Sequence, residues 1–127
     1  MTFGPHPGSP FTAVLRLRQG VAVIGVAGEL DFRFAPVLRE RLFQVGELPE
    51  VPTALIVNLA GVSFCDSVGL SVLITALRHS QATGSRLMLS GVHGTVERVL
   101  SLTGLASTFE IHPDVDEALR AVGQPGR

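Results

Sequence analysis

A buried strand that leads directly into an amphipathic helix is the feature that most constrains the fold of this chain. Residues 54–59 (ALIVNL) are a short apolar run between Pro52 and Gly61, which is typical of a strand buried on both faces. After it, apolar residues recur at the spacing of one helix face, at Leu70, Leu73, Ile74 and Leu77. Asp66, between the two segments, is a candidate N-cap. The segment therefore predicts a strand-to-helix junction, with Ser67 exposed at the start of the helix.

The position predicted for Ser67 suits a negatively charged group. Free N–H groups and the positive end of the helix dipole make a helix N-terminus favourable for an anion. A phosphate on Ser67 would therefore be tolerated there. Serine and aspartate are also ordinary helix-start residues, and spacing alone favours the simpler interpretation that Asp66 and Ser67 only cap the helix.

The rest of the chain alternates strands and helices. Two apolar segments, residues 14–18 and 21–26, predict an opening hairpin around the turn residues Gln19 and Gly20. The Ser67 helix should end near Gly84. The remaining pattern predicts helices over residues 34–45, 96–103 and 113–122 and strands over residues 86–89 and 108–111. This order predicts an α/β fold with a mixed, mostly parallel sheet, an opening hairpin and about four helices packed largely on one face.

Length and composition indicate one globular domain. The chain has 127 residues, of which 46% are hydrophobic and 17% are charged. We expect a flexible N-terminal arm over residues 1–11, a folded domain over residues 12–122 and a loose tail over residues 123–127. No apolar run reaches the roughly 18 residues of a membrane span. Residues 1–10 also lack the basic and apolar regions of a secretory signal, so we expect a cytoplasmic protein that does not bind membranes.

The chain lacks the sequence features of nucleic-acid, metal and cofactor sites. Its 10 basic residues are all arginines, scattered along a chain of net charge −1, and they form no nucleic-acid footprint. Cys65 is the only cysteine, the 4 histidines show no pairing at i+2 or i+4, and no glycine-rich phosphate loop is present. We therefore expect no metal, no cofactor and no direct contact with nucleic acid. Cys65 is interpreted as a small apolar residue that closes the turn.

An esterase is the first alternative, because residues 65–69 (CDSVG) share the serine and the last glycine of the G-x-S-x-G nucleophile elbow. Cys65 replaces the first glycine of that motif, and its side chain would obstruct the sharp turn. The chain is also too short for the sheet of a hydrolase. The candidate bases have no distinctive context; they are His79, His93 and His112. The sequence therefore favours a protein that is not an enzyme.

Three motifs together resemble one known family. GELD at residues 28–31, NLAGVSFCDSVGL at 58–70 and LTGL at 102–105 are similar, in this order, to the STAS domain of bacterial anti-sigma factor antagonists. The resemblance extends over about residues 12–120. In that family the serine directly after the aspartate is phosphorylated by an anti-sigma factor that is also a kinase, and Ser67 matches this serine. The chain departs from the family at Val68, where relatives usually carry a second serine or threonine.

The resemblance implies a regulator without catalytic activity. With Ser67 unphosphorylated, the chain would bind an anti-sigma factor that has serine kinase activity and so release the sigma factor. Phosphorylation would end this binding, and a serine phosphatase would restore it. The loop of Asp31 would lie close to Ser67, so that Asp31 and Asp66 frame it with negative charge; the other role open to Asp31 is an N-cap of the helix near Phe34. The expected partner interface comprises Asp31, Asp66, Ser67, Val68, Gly69 and Ser71.

A second function is compatible with the same fold. The chain would then be a STAS subunit with a structural or regulatory role in a larger complex, such as a stress-sensing or lipid-transport assembly. Ser67 argues against the lipid-transport assembly, because a subunit of that kind needs no phosphoacceptor. A phosphorylated form in cells is expected only for the first function, the antagonist that is inactivated by phosphorylation of Ser67.

Overall fold

A computed structural model describes residues 10–124. The expected N-terminal arm lies outside the described residues except for its last two positions, and so do residues 125–127 of the expected tail. The strands are β1 (Thr12–Arg18), β2 (Val21–Leu30), β3 (Leu55–Cys65), β4 (Leu87–Ser90) and β5 (Glu110–His112). The helices are α1 (Ala35–Gly46), α2 (Ser67–Thr83), α3 (Gly94–Leu102) and α4 (Val115–Val122), with a short 3-10 helix at Leu105–Ser107.

The strands form one sheet in the order β1-β2-β3-β4-β5. β1 pairs antiparallel with β2, and the other neighbours pair parallel. The turn between β1 and β2 has φ of 55° at Gln19 and 78° at Gly20. Two successive positive φ values match the right-handed twist of a tight hairpin, which explains why the hairpin forms at these residues. The expected α/β architecture with an opening hairpin is confirmed.

The helices divide unequally between the two faces of the sheet. α1, α2 and α3 supply the helical part of the main core, with Ala35, Leu38, Leu70, Leu73, Val96 and Leu100. α4 packs on the opposite face through Ala118, which contacts a smaller cluster that includes Val23 and Ile56. Alternate residues of a strand point to opposite faces, so Ile24 and Val26 of β2 belong to the main core while Val21 and Val23 belong to the smaller one. Three of the four helices therefore share one face, as expected.

Both central strands continue further than the sequence pattern predicts. β2 reaches Leu30 and β3 reaches Cys65, where these two residues are paired. The pairing shifts register between Gly25 and Ala27 and again between Gly28 and Glu29. Such bulges interrupt the alternation of buried and exposed residues, which is why periodicity stops before the strands do. Because β2 and β3 are parallel, their carboxyl ends meet at one edge of the sheet.

The last part of the chain is fixed to the sheet by Arg86, which precedes β4. Its guanidinium group donates to Glu110 of β5 at 2.6 Å and 2.9 Å and to the backbone oxygens of Ala121 and Gln124 at 3.0 Å and 2.8 Å. The start of the described chain is also packed: Phe11 is buried and stacks on Phe34, with the ring centroids 5.4 Å apart. Within residues 10–124, no helix combines the length and the apolar character that a membrane crossing requires.

Candidate functional site

The start of α2 lies at the carboxyl end of β3, as the sequence predicts. Asp66 is the N-cap, in extended conformation, and its Oδ1 atom accepts a hydrogen bond from the Gly69 N–H at 2.8 Å. Ser67 is the first residue of the helix and is exposed to solvent. The exposure of Ser67 and the capping role of Asp66 are therefore confirmed.

Asp66 also binds a second segment. Its Oδ2 atom accepts a hydrogen bond from the Phe32 N–H at 2.9 Å, and its own N–H donates to the Leu30 carbonyl oxygen at 3.3 Å. One carboxylate thus joins the loop after β2, which follows the GELD motif, to the first turn of α2. This contact could not be predicted from the sequence, because the donor is a backbone group 34 residues away.

Asp31 is turned toward its own loop. It is 6% exposed, and its carboxylate accepts hydrogen bonds from the Arg33 N–H at 3.0 Å and from Nη2 of Arg33 at 2.7 Å. The bond from Arg33 holds the pKa of Asp31 below its ordinary value. The Asp31 carboxylate does not cap α1, whose N-cap residue Phe34 has no side-chain cap, so that interpretation is wrong. The charge of Asp31 is balanced by Arg33, which leaves Asp66 as the carboxylate directly beside Ser67.

Gly69 lies behind the surface. It is buried, and a Cβ atom at this position would be 2.2 Å from the Leu30 carbonyl oxygen. Only glycine therefore allows the first turn of α2 to lie so close to β2. Gly69 was expected in the partner interface; its contribution there would be indirect, through the position of the helix.

The other interface residues expected on α2 are exposed. Val68 and Ser71 face solvent, and the Ser71 hydroxyl donates to the Val68 carbonyl oxygen at 2.6 Å. Three apolar side chains near Asp66 are also well exposed: Phe32 at 66%, Phe64 at 41% and Val68 at 38%. The sequence alone does not distinguish Phe32 or Phe64 as surface residues. Their position beside apolar strands made them resemble core residues.

The buried face of α2 is close to the one predicted. Leu70 and Leu73 are buried, and Ile74 and Leu77 are partly buried against the main core. Val72 is also buried, although the helical pattern did not include it. The helix is covered over a wider arc than the predicted stripe, because α1 packs beside it on the same face of the sheet. Ser71 and Arg78 are exposed, as expected.

A family model for the STAS domain matches residues 12–118. The chain belongs to the STAS domain family. This match covers the whole sheet, the Ser67 site and the first half of α4, so the resemblance carried by the three motifs is confirmed.

Relatives of this STAS domain include named regulators. The anti-sigma-F factor antagonist RsfB of Mycobacterium tuberculosis is 34% identical over 113 residues, which are 87% of this chain and 88% of RsfB. The anti-sigma-B factor antagonist of Bacillus subtilis is 34% identical over 88 residues, 69% of this chain and 78% of that protein. A crystal structure of an anti-sigma factor antagonist from Mycobacterium paratuberculosis superposes with a TM-score of 0.79 at 31% identity, covering 94% of this chain and 99% of that one.

The STAS domain has no histidine beside Ser67 within residues 10–124. His93 contacts the Ala60 carbonyl oxygen at 2.9 Å, and His112 contacts Glu110 at the same distance. His79 lies on α2 twelve residues after Ser67, a separation of about 18 Å along the helix axis. Cys65 is buried, and desolvation raises the pKa of its thiol to about 11. The described site therefore contains neither a histidine-activated serine nor a reactive thiolate.

Proposed function

We propose that this STAS domain is a cytoplasmic anti-sigma factor antagonist that is controlled by phosphorylation of Ser67. The unphosphorylated chain binds an anti-sigma factor that has serine kinase activity, and the sigma factor is released. The partner supplies ATP and catalysis, and this chain supplies the substrate serine and the docking surface. A serine phosphatase returns the chain to its binding form. The observation that carries the proposal is an exposed serine at the first position of α2, directly after its N-cap Asp66.

The position of Ser67 allows a phosphate in the free protein. The first turn of α2 presents backbone N–H groups and the positive end of the helix dipole, which favour an anion. The hydroxyl of Ser67 is also the only one between Asp66 and Gly69, because the next position is Val68. A kinase that acts on the first turn before Gly69 therefore has one possible acceptor, the Ser67 hydroxyl oxygen.

The same phosphate opposes docking. It adds about −1.5 to −2 charges at neutral pH beside the Asp66 carboxylate. Arg33, the only basic residue in the adjoining loop, already donates to Asp31 and Glu29. A dianion enclosed in an interface without a cation partner costs free energy, and each loss of ~1.4 kcal/mol weakens binding about tenfold. A loss of a few times this free energy is enough to change the chain from mostly bound to mostly unbound.

Intact-mass analysis of the protein isolated from cells before and after stress tests the phosphoacceptor. The wild type should acquire a form heavier by about 80 Da, one phosphate, and Ser67→Ala should lack it while keeping its fold. Ser63→Ala, which removes a neighbouring exposed hydroxyl outside the expected partner interface, is the control and should be phosphorylated normally. Phosphate mapped to Ser63 or Ser71, or its complete absence under every condition, contradicts the proposal. The absence would instead favour a STAS subunit of a larger complex.

A charge substitution tests the switch itself. Ser67→Glu places an anion beside Asp66, and we expect it to weaken anti-sigma factor binding by at least about tenfold. Ser101→Glu, which adds the same charge at an exposed position of α3, is the matched control. Calorimetry that gives the same affinity for Ser67→Glu and Ser101→Glu rules out the electrostatic switch.

A further inference from the structure

Three exposed apolar residues belong to the segments that meet at Asp66, the residue before Ser67. Phe64 and Val68 are each two residues from Asp66, so their Cα atoms lie within about 8 Å of its Cα. Phe32 is brought to the same place by its N–H, which donates to Asp66 Oδ2 at 2.9 Å. Phe32 is 66% exposed, so its side chain is accessible to a partner. Phe32, Phe64 and Val68 are called the Ser67 surface below.

The charged groups next to the Ser67 surface already have partners within the chain. Arg33 donates to Asp31 at 2.7 Å and to Glu29 at 3.1 Å. Both oxygens of Asp66 accept backbone hydrogen bonds, from Phe32 and Gly69. A protein that covers this area therefore does not have to supply hydrogen-bond donors to the Asp66 oxygens in place of water. The centre of a protein interface is typically depleted of charge and enriched in aromatic residues, and the Ser67 surface has this composition.

We propose that the Ser67 surface docks on an apolar patch of the anti-sigma factor, with Phe32 as the anchor residue and Val68 as a residue that selects the partner. The proposal rests on the function proposed above, because a kinase that phosphorylates Ser67 must cover the residues around it. Phe32 has the largest exposed apolar side chain at the site, and buried aromatic side chains contribute most to binding in many interfaces. Val68 presents two methyl groups beside the acceptor serine, and a partner shaped for them rejects a hydroxyl that it cannot pair.

Phe43 provides a matched control for Phe32. It is 68% exposed and lies near the end of α1, eleven residues further along the chain. Phe32→Ala and Phe43→Ala thus remove the same side chain at nearly the same exposure. The Phe32 variant keeps the backbone N–H that binds Asp66, so the loop geometry should persist and both melting temperatures should equal that of the wild type. Phe32→Leu retains an apolar side chain and serves as the rescue variant.

The probes are the anti-sigma factors of the source organism, purified one at a time and titrated with the full chain by calorimetry. Phe32→Ala should bind at least about tenfold more weakly than the wild type, whereas Phe43→Ala should stay within about twofold and Phe32→Leu within about threefold. Val68→Thr, nearly equal in volume, should weaken binding by about threefold or more, because it places a hydroxyl against apolar groups.

Two results overturn the inference in distinguishable ways. If the wild type binds an anti-sigma factor but Phe32→Ala and Val68→Thr bind as well as Phe43→Ala, docking does not depend on the Ser67 surface and only the inference fails. If the wild type binds none of the anti-sigma factors and none of them phosphorylates Ser67 with ATP, the proposed function fails and the inference fails with it.

Discussion

At the scale of single residues, Asp66 has two tasks that depend on its two oxygens. One oxygen caps α2 through Gly69, and the other holds Phe32 beside the helix. The cap is a local interaction and was predictable from the order Asp-Ser before an apolar helical pattern. The contact with Phe32 was not predictable, because it depends on the pairing of two strands whose ends are distant in sequence. For the same reason the sequence did not show that Asp31 pairs with Arg33.

We expect Asp66→Asn to separate these two tasks. The asparagine oxygen can still accept from the Gly69 N–H, but its amide nitrogen cannot accept from the Phe32 N–H. The free energy of unfolding should fall by about 1–2 kcal/mol, and hydrogen exchange at the Phe32 amide should accelerate more than exchange at Gly69. Urea unfolding and amide exchange measure the two effects.

Asp114→Asn is the matched control for Asp66→Asn. Asp114 caps α4 with a single hydrogen bond from the Glu117 N–H at 2.8 Å, and asparagine is an equally good N-cap. The free energy of unfolding of Asp114→Asn should therefore differ little from that of the wild type. An equal loss of stability in the two variants, or unchanged exchange at Phe32, would show that the second oxygen of Asp66 does not hold the loop.

At the scale of elements, the sequence predicted which helices and strands exist better than it predicted where they end. Hydrophobic periodicity located α1, α2, β3 and the hairpin because each has an apolar side to bury. It missed residues 27–30 of β2 and residues 60–65 of β3, where register shifts break the alternation. The last strand was expected at residues 108–111 but lies at Glu110–His112, since residues before it form a 3-10 helix. The missed strand ends are those that carry the functional site.

The two sides of α2 should respond differently to substitution. Leu73 is buried in the main core, so Leu73→Ala should lower the free energy of unfolding by about 2–5 kcal/mol. Ser71 lies on the exposed side of the helix, so Ser71→Arg should leave the melting temperature unchanged. The same variant should weaken anti-sigma factor binding. Chemical denaturation and calorimetry measure these effects. Unfolding by Ser71→Arg together with a harmless Leu73→Ala would mean that the helix faces are assigned the wrong way round.

At the scale of the whole molecule, the sheet separates the functional site from the attachment of the last helix. The main core supports the start of α2, while α4 occupies the other face. The sequence predicted that α4 is amphipathic, but an apolar stripe does not specify which face of the sheet receives it. The position of α4 is fixed by tertiary contacts, among them the bonds from Arg86 to Glu110 and to the carbonyl oxygen of Ala121.

The Arg86–Glu110 pair should make the stability of the fold sensitive to acid. Hydrogen bonds from Arg86 hold the pKa of Glu110 below its ordinary value of 4.5. The unfolded chain therefore takes up a proton at Glu110 at a higher pH than the folded chain does. The contribution of Glu110 to stability is fully present above pH 4.5, declines as the pH falls toward the lowered pKa of the folded state, and is absent below it.

Glu110→Gln should remove this part of the pH dependence. At neutral pH the variant should be less stable than the wild type, because Arg86 loses a charged partner in a mostly buried position. As the pH falls below 4.5, the ordinary value for Glu110, the gap between the two unfolding free energies should narrow, since the wild type loses the interaction that the variant never had. Glu40→Gln, an exposed position of α1, is the control and should follow the wild type. Urea unfolding at a series of pH values measures the gap, and a gap that stays constant through this range would show that the Arg86–Glu110 pair does not link the attachment of α4 to pH.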